Sequence, residues 1–220
     1  MVAITMAEDK IIENIKKARE ASPKRNFKQT FDIAVNLKSI DLKKVENKVK
    51  TEVVLPAGTG RKLKVGVIVD NLIPKAQKLS DEITMIRKDE LDGLGKNKRA
   101  AKKIASECVS FLAEATLMPA IGKALGPVLA PRGLMPKPIP PTVPDLKPVV
   151  DRAAATVRLV LKDSPVFHCA VGTEEMTDEK VAENISAVLK TIETALPKGK
   201  EQIRNVIIKL TMGKPVKFEV

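Results

Sequence analysis

The pattern of apolar residues changes character twice along this chain, near residue 62 and again near residue 157. That change limits the fold more than any overall composition does. Before it, Phe31-Asp32-Ile33-Ala34-Val35-Asn36-Leu37 alternates apolar and polar residues with period two, which predicts a strand with one buried face. Residues 51–55 read as a second strand, ended by Pro56 and Gly58-Thr59-Gly60. Residues 64–70 instead carry Val65, Val67, Ile68 and Val69 with no polar face, as a parallel strand covered on both sides does. From there helical and extended signals alternate: helix over 72–79, strand over 83–86, helix over 98–107, strand over 109–113, helix over 149–156. After the second change, alternating strands return at 157–162 and 166–171, joined by a turn at Asp163-Ser164-Pro165.

The two ends complete the frame. Thr5-Met6-Ala7-Glu8 reads as a capping box, followed by Ile11, Ile12, Ile15 and Ala18 on one helical face, with Ser22-Pro23 as the stop. Residues 38–50 are polar and lysine-rich, a loop with one helical turn. An amphipathic helix is predicted over 179–196, then strands over 205–210 and 216–219. The simplest arrangement is an α+β split domain formed by residues 1–62 and 157–220. Residues 63–156 form an inserted α/β domain, three-layer and Rossmann-like. Two chain crossings at one edge make a hinge, with Gly58 and Gly60 in the first.

Charge points to the partner class. The net charge is +12, from 39 basic and 27 acidic residues, which favours a polyanion. Both parts of the chain are basic, so charge does not choose between them. Five Phe, no Trp and no Tyr leave little for base stacking. An RNA partner would be read through phosphates, 2′-hydroxyls and shape. Cys108 and Cys169 are too few for a disulfide framework and are expected as free thiols. The N-terminus does not read as a signal peptide, and no stretch approaches the roughly 20 apolar residues of a membrane span. A cytoplasmic protein without membrane contact is expected.

Catalytic chemistry finds few residues. His168 is the only histidine, which excludes a histidine-cluster metal site, and two separated cysteines do not make a zinc site. No serine sits in a Gly-x-Ser-x-Gly elbow. Gly95-Lys96 and Gly122-Lys123 are followed by Asn97 and Ala124 and lack the upstream glycine of a phosphate loop. Gly58-Thr59-Gly60 precedes a strand, whereas a dinucleotide fingerprint follows one. No enzyme, cofactor or metal is expected. The alternative is a nucleotide-binding enzyme using the inserted α/β domain.

Residues 115–142 are nearly uncharged and punctuated by Pro119, Pro127, Pro131, Pro136, Gly122, Gly126 and Gly133. A short helix from 119 to about 125 is predicted, then an ordered, apolar, turn-rich loop. Met118-Pro119, Gly122-Lys123, Leu125-Gly126-Pro127 and Pro131-Arg132-Gly133-Leu134-Met135-Pro136 closely resemble the signature of the large-subunit ribosomal protein L-one family, the lateral-stalk protein. The resemblance runs over nearly the whole chain and is closest to the archaeal branch.

The resemblance implies the site as well. In that family RNA recognition lies on the split domain, where a strand edge near an N-terminal Phe motif meets a Thr-Met-Gly turn. Phe27-Lys28-Gln29-Thr30-Phe31-Asp32 matches the first and Thr211-Met212-Gly213 the second. The chemistry fits. Thr offers a donor and acceptor for 2′-hydroxyls, Gly lets RNA approach the backbone, and Met packs on sugars without demanding a base. From the residues alone, Phe27 is either a core plug or an exposed contact.

Asn205 stands six residues before Thr211, where bacterial members carry Ser, and Asn26 stands where a basic residue is common. Lys24, Arg25 and Lys28 then become substitutes for that charge. His168, Gly172 and Thr173 lie in a family-like stretch and rank below the two motifs. The partners implied are large-subunit ribosomal RNA, the leader of the protein's own messenger RNA, and exit-site transfer RNA on the ribosome. The free protein would be a monomer.

Overall fold

The computed structural model describes residues 2–40, 49–61, 63–70, 79, 83–140, 142, 145–161 and 164–218. The expected helical turn within 38–50 and the helix over 72–79 fall almost wholly outside them. Contacts group the chain into two compact units, Met1–Arg61 with Ala155–Val220, and Lys62–Ala154.

In the first unit, helix α1 (Val2–Glu20) leads to strand β1 (Thr30–Leu37) and then to β2 (Lys50–Val54). After the second unit come β7 (Thr156–Val160), β8 (Val166–Thr173), helix α7 (Asp178–Ala195), β9 (Ile203–Leu210) and β10 (Val216–Phe218). Four strands form an antiparallel sheet in the order β10-β9-β1-β8, and β2 pairs with β7 separately. The period-two reading of β1 gives the correct inner face. Phe31, Ile33, Val35 and Leu37 are buried and meet Leu210, Ile208, Val206 and Ile203 across the ladder. Ile11, Ile15 and Ala18 of α1 and Val181, Ile185, Val188, Leu189 and Ile192 of α7 join the same core. Each large apolar side chain among them contributes about 1.5–3 kcal/mol of burial.

Two expectations change here. α1 is already helical at Val2, so Thr5 lies inside the helix instead of capping it. Strands β7 and β8 do not form a hairpin; they follow each other in sequence but belong to different sheets.

The second unit is built on β3 (Lys64–Val69), β4 (Ile83–Arg87), β5 (Cys108–Glu114) and β6 (Lys137–Ile139), all parallel, in the order β4-β3-β5-β6. β3 is central, and each residue from Val65 to Val69 is buried, which explains its unbroken apolar run. Val65, Val67 and Val69 join Leu146, Val150 and Ala153 of one core. Ile68 joins the other, with Phe111 and with residues of helices α2 (Lys88–Lys96), α3 (Lys98–Glu107), α4 (Met118–Ala124) and α5 (Gly126–Arg132). Helix α6 (Lys147–Ala155) supplies Val150 and Ala153 to the first core. Gly66 is required because a Cβ there would lie 2.4 Å from the Phe111 ring.

The loop expected after Leu125 is instead helix α5, with two prolines in it. Pro127 sits in the first turn, where its missing N–H has no helical partner. Pro131 falls near the end of the helix and forfeits a single bond. Gly133, at φ 69°, closes the helix by donating to Ala130 O, while Leu134 N–H reaches Leu129 O at 2.9 Å. Helix α2 had no sequence expectation. No helix among the described residues is long and apolar enough to cross a membrane.

Candidate RNA-binding site

The two sequence motifs meet at one end of the four-stranded sheet. β1 begins at Thr30 and β9 ends at Leu210, and these ends are neighbours because the strands are antiparallel. Thr211 N–H donates to Thr30 O at 3.1 Å, and Thr30 N–H donates to Thr211 Oγ1 at 3.1 Å. Thr211 thus splices the turn to the strand. Gly213 N–H donates to Leu210 O at 2.9 Å and closes the turn.

Gln29, wholly buried, ties the turn to the preceding loop. Its Oε1 accepts from Met212 N–H at 3.2 Å, and its Nε2 donates to Pro23 O and Ser22 Oγ, both at 3.2 Å. Its backbone carbonyl accepts from Glu174 N–H at 2.9 Å, which brings in the end of β8.

On this frame two large apolar side chains point to solvent. Phe27 is 51% exposed and Met212 55%. Phe27 is therefore an exposed residue and not a core plug. Lys24, Arg25 and Lys28 are exposed beside it, and Lys28 pairs with exposed Glu175 at 2.7 Å. Such a pair in water is worth under about 1 kcal/mol, so Lys28 remains available to another anion.

Other candidates sit differently. Thr30 is buried, and its hydroxyl accepts from Arg61 Nη2. Gly213 lies against Ser22, whose Cβ would be 3.1 Å from a Cβ at this position, so the protein's own packing asks for glycine there. Gly172 is buried against Met176 and Val181. Thr173 is 2% exposed, and its hydroxyl has no hydrogen-bond partner among the described residues. Gly60 takes a left-handed φ of 69°, and a Cβ on it would come within 2.5 Å of that hydroxyl.

Asp32 and His168 lie on the sheet face opposite the helices, with Lys209 across the ladder from Asp32. Partial burial pushes the Asp32 carboxyl up from its ordinary value, against the pull of Lys209, Arg61 and His168. Asn205 does not belong to the cluster. It lies at the other end of β9, 5% exposed, with Asn36 Nδ2 donating to its Oδ1 at 2.6 Å.

The chain is similar to known proteins along nearly its whole length. Residues 17–214 match the model of the ribosomal protein L1p/L10e family. The chain belongs to that family. Among its similar relatives, a protein of Methanothermobacter thermautotrophicus is 45% identical over 210 residues, 96% of this chain and 99% of its own length. One of Pyrococcus horikoshii is 45% identical over 219 residues, the full length of both. One of Thermococcus kodakarensis is 46% identical over 210 residues, 96% and 97% of the two chains. Each is named large ribosomal subunit protein uL1.

Within this family member, sequence reasoning missed Gln29, Arg61 and Glu174. A buried glutamine carries no signal of its own, because polar residues default to the surface. Its only trace is its position between the exposed Phe27-Lys28 and the first strand residue.

Proposed function

We propose that this protein is a large-subunit ribosomal protein of the cytoplasm that binds the stalk junction of ribosomal RNA. Through that attachment it helps deacylated transfer RNA leave the exit site. The same surface takes the leader of its own messenger RNA and represses translation. Ribosomal RNA binds more tightly than the leader, so repression begins once ribosomal sites are filled.

The observation that carries this reading is the pair Phe27 and Met212, both more than half exposed, on the hydrogen-bonded splice of Thr30 and Thr211. Two apolar side chains held on a rigid edge, among Lys24, Arg25 and Lys28, suit the sugars and phosphates of a folded RNA. Asp32, His168 and Lys209 extend the surface along the open sheet face. Gly213, Thr30, Gly172 and Thr173 support it from beneath, and Asn205 holds its far end. The two units act as an RNA-binding split domain and an inserted domain, with Gly58 and Gly60 at the hinge.

A binding role also fits the second unit better than a nucleotide-using enzyme does. Its strand order reverses between β3 and β5, and ligands of such sheets sit beyond those strands' carboxyl ends. Asp70 and Glu114 stand there. Asp70 N–H donates to Glu114 Oε1 at 3.0 Å, and Lys88 already pairs with Asp70 at 3.1 Å. Carboxylates there oppose a phosphate.

The test is binding of the Phe27→Ala/Met212→Ala variant to large-subunit ribosomal RNA in competition with unrelated RNA. Specific affinity is expected to fall by about 2–4 kcal/mol, on the scale of hot-spot truncations, with unrelated RNA unaffected. Equal binding by variant and parent would remove the site.

A further inference from the structure

Helix α3 is charged in a way that its own stability does not explain. It opens with Lys98 and Arg99, has no acid in its first turn and no base in its last. Cations at a helix N-terminus oppose the macrodipole. Among the other helices, α2 and α7 open with acids, and α1, α4, α5 and α6 end with bases, although α6 also opens with a single cation, Lys147. Lys98 and Lys102, and Arg99 and Lys103, also stand four apart, where like charges repel. The helix holds because Asn97 caps it, accepting from Ala100 N–H at 3.2 Å, and because Ala101 and Ala105 are buried.

A fifth cation is drawn to the same helix. Arg132, from the end of α5, donates through Nη1 to Lys102 O at 3.2 Å and to Ser106 Oγ at 2.8 Å. All five cations are exposed, and none has a carboxylate in ion-pair range among the described residues. Ion pairs elsewhere among the described residues are few, at Lys17, Arg19, Lys28 and Lys88, so the density of cations along one helix is what sets this face apart.

We infer that this face of the second unit is an additional RNA-binding surface, one that holds the phosphate backbone of a double-helical RNA without reading its sequence. Two rows of cations on one helix can follow a phosphate ridge. Helix α3 has no aromatic residue on which a single strand could stack its bases. It has no exposed large apolar residue with which to enter a lipid surface. The inference rests on the protein being an RNA binder, but on residues separate from the Phe27–Met212 edge.

The test uses the full chain with Lys98→Ala/Arg99→Ala/Lys102→Ala/Lys103→Ala and a short RNA duplex of arbitrary sequence, titrated against salt. Alanine is the best helix former and the repulsion is gone, so the variant is expected to melt no lower than the parent. The slope of log K against log salt should fall by about 3–4, at about 0.9 for each phosphate that is no longer neutralised. Lys102→Gln alone should lower it by about 0.9. An unchanged slope in both overturns the inference. So does a loss seen only with polyglutamate or phosphatidylserine vesicles in place of the duplex. If the Phe27/Met212 variant binds ribosomal RNA like the parent while the four-alanine variant loses slope, the edge site fails and this surface stands. The reverse pattern sinks this surface alone.

Discussion

Replacing Gln29 by Leu separates the frame of the candidate site from its contacts. The volumes are similar, so the fully buried pocket stays filled, but three polar partners lose their mate: Met212 N–H, Pro23 O and Ser22 Oγ. Each net hydrogen bond is worth about 0.5–1.5 kcal/mol. Water can reach the half-exposed Met212 turn and soften that loss, so about 2–3 kcal/mol of stability should disappear. At about 2–4 °C per kcal/mol for a chain of this size, the melting temperature should fall by about 4–12 °C. Freed from Gln29, the turn samples other positions, and affinity for ribosomal RNA should drop about tenfold, or about 1.4 kcal/mol, at a temperature where the variant is folded. Thermal melting by circular dichroism and a filter-binding titration, run on one preparation, give both numbers. A variant as stable as the parent, with unchanged affinity, would refute the claim that Gln29 holds the turn.

Asp32→Asn should raise the melting temperature at neutral pH. The Asp32 pKa is raised by burial, so the ionised folded state is penalised; that cost grows as pH rises through the ordinary carboxylate range to the folded pKa, and vanishes below that range. Melts from about pH 3 to about pH 8 should show the variant's advantage only at the upper end, and an advantage at the acid end alone would be wrong in sign. Asn184→Leu should cost about 2–4 kcal/mol in a urea melt, because the buried amide accepts from Ala57 N–H and donates to Gly58 O and Val171 O. A cost under about 0.5 kcal/mol would mean that the turn at Gly58 holds without it. Burial, with Asp32 adding to it, pushes the Cys169 thiol up to about 12, so iodoacetamide should modify it slowly at about pH 8 until denaturant is added. Equal rates with and without denaturant would contradict the burial.

Most of the fold could be read from the sequence where one rule acted alone. The alternation in β1 and the unbroken apolar run in β3 each report directly on how many faces are covered. The α5 helix could not be read, because Gly126, Pro127 and Pro131 signal a turn individually while their positions at the helix ends make them tolerable. β7 and β8 look like a hairpin from their spacing; which sheet each joins depends on partners far away in sequence, β2 for the one and β1 for the other. At the site, the Phe27 and Thr211-Met212-Gly213 motifs lie together at one end of the sheet. They did not reveal that Thr211's hydroxyl already serves Thr30 N–H, or that Gly172 and Thr173 are covered. Those facts depend on what packs above each residue, which spacing does not encode.

The most direct test of the central claim is hydroxyl-radical footprinting of deproteinised large-subunit ribosomal RNA with the full chain and with the Phe27→Ala/Met212→Ala variant. One compact helical junction should be protected by the parent at substoichiometric competitor RNA, and that protection should be lost with the variant. Protection scattered along the RNA, or a junction footprint that survives in the variant, would contradict it.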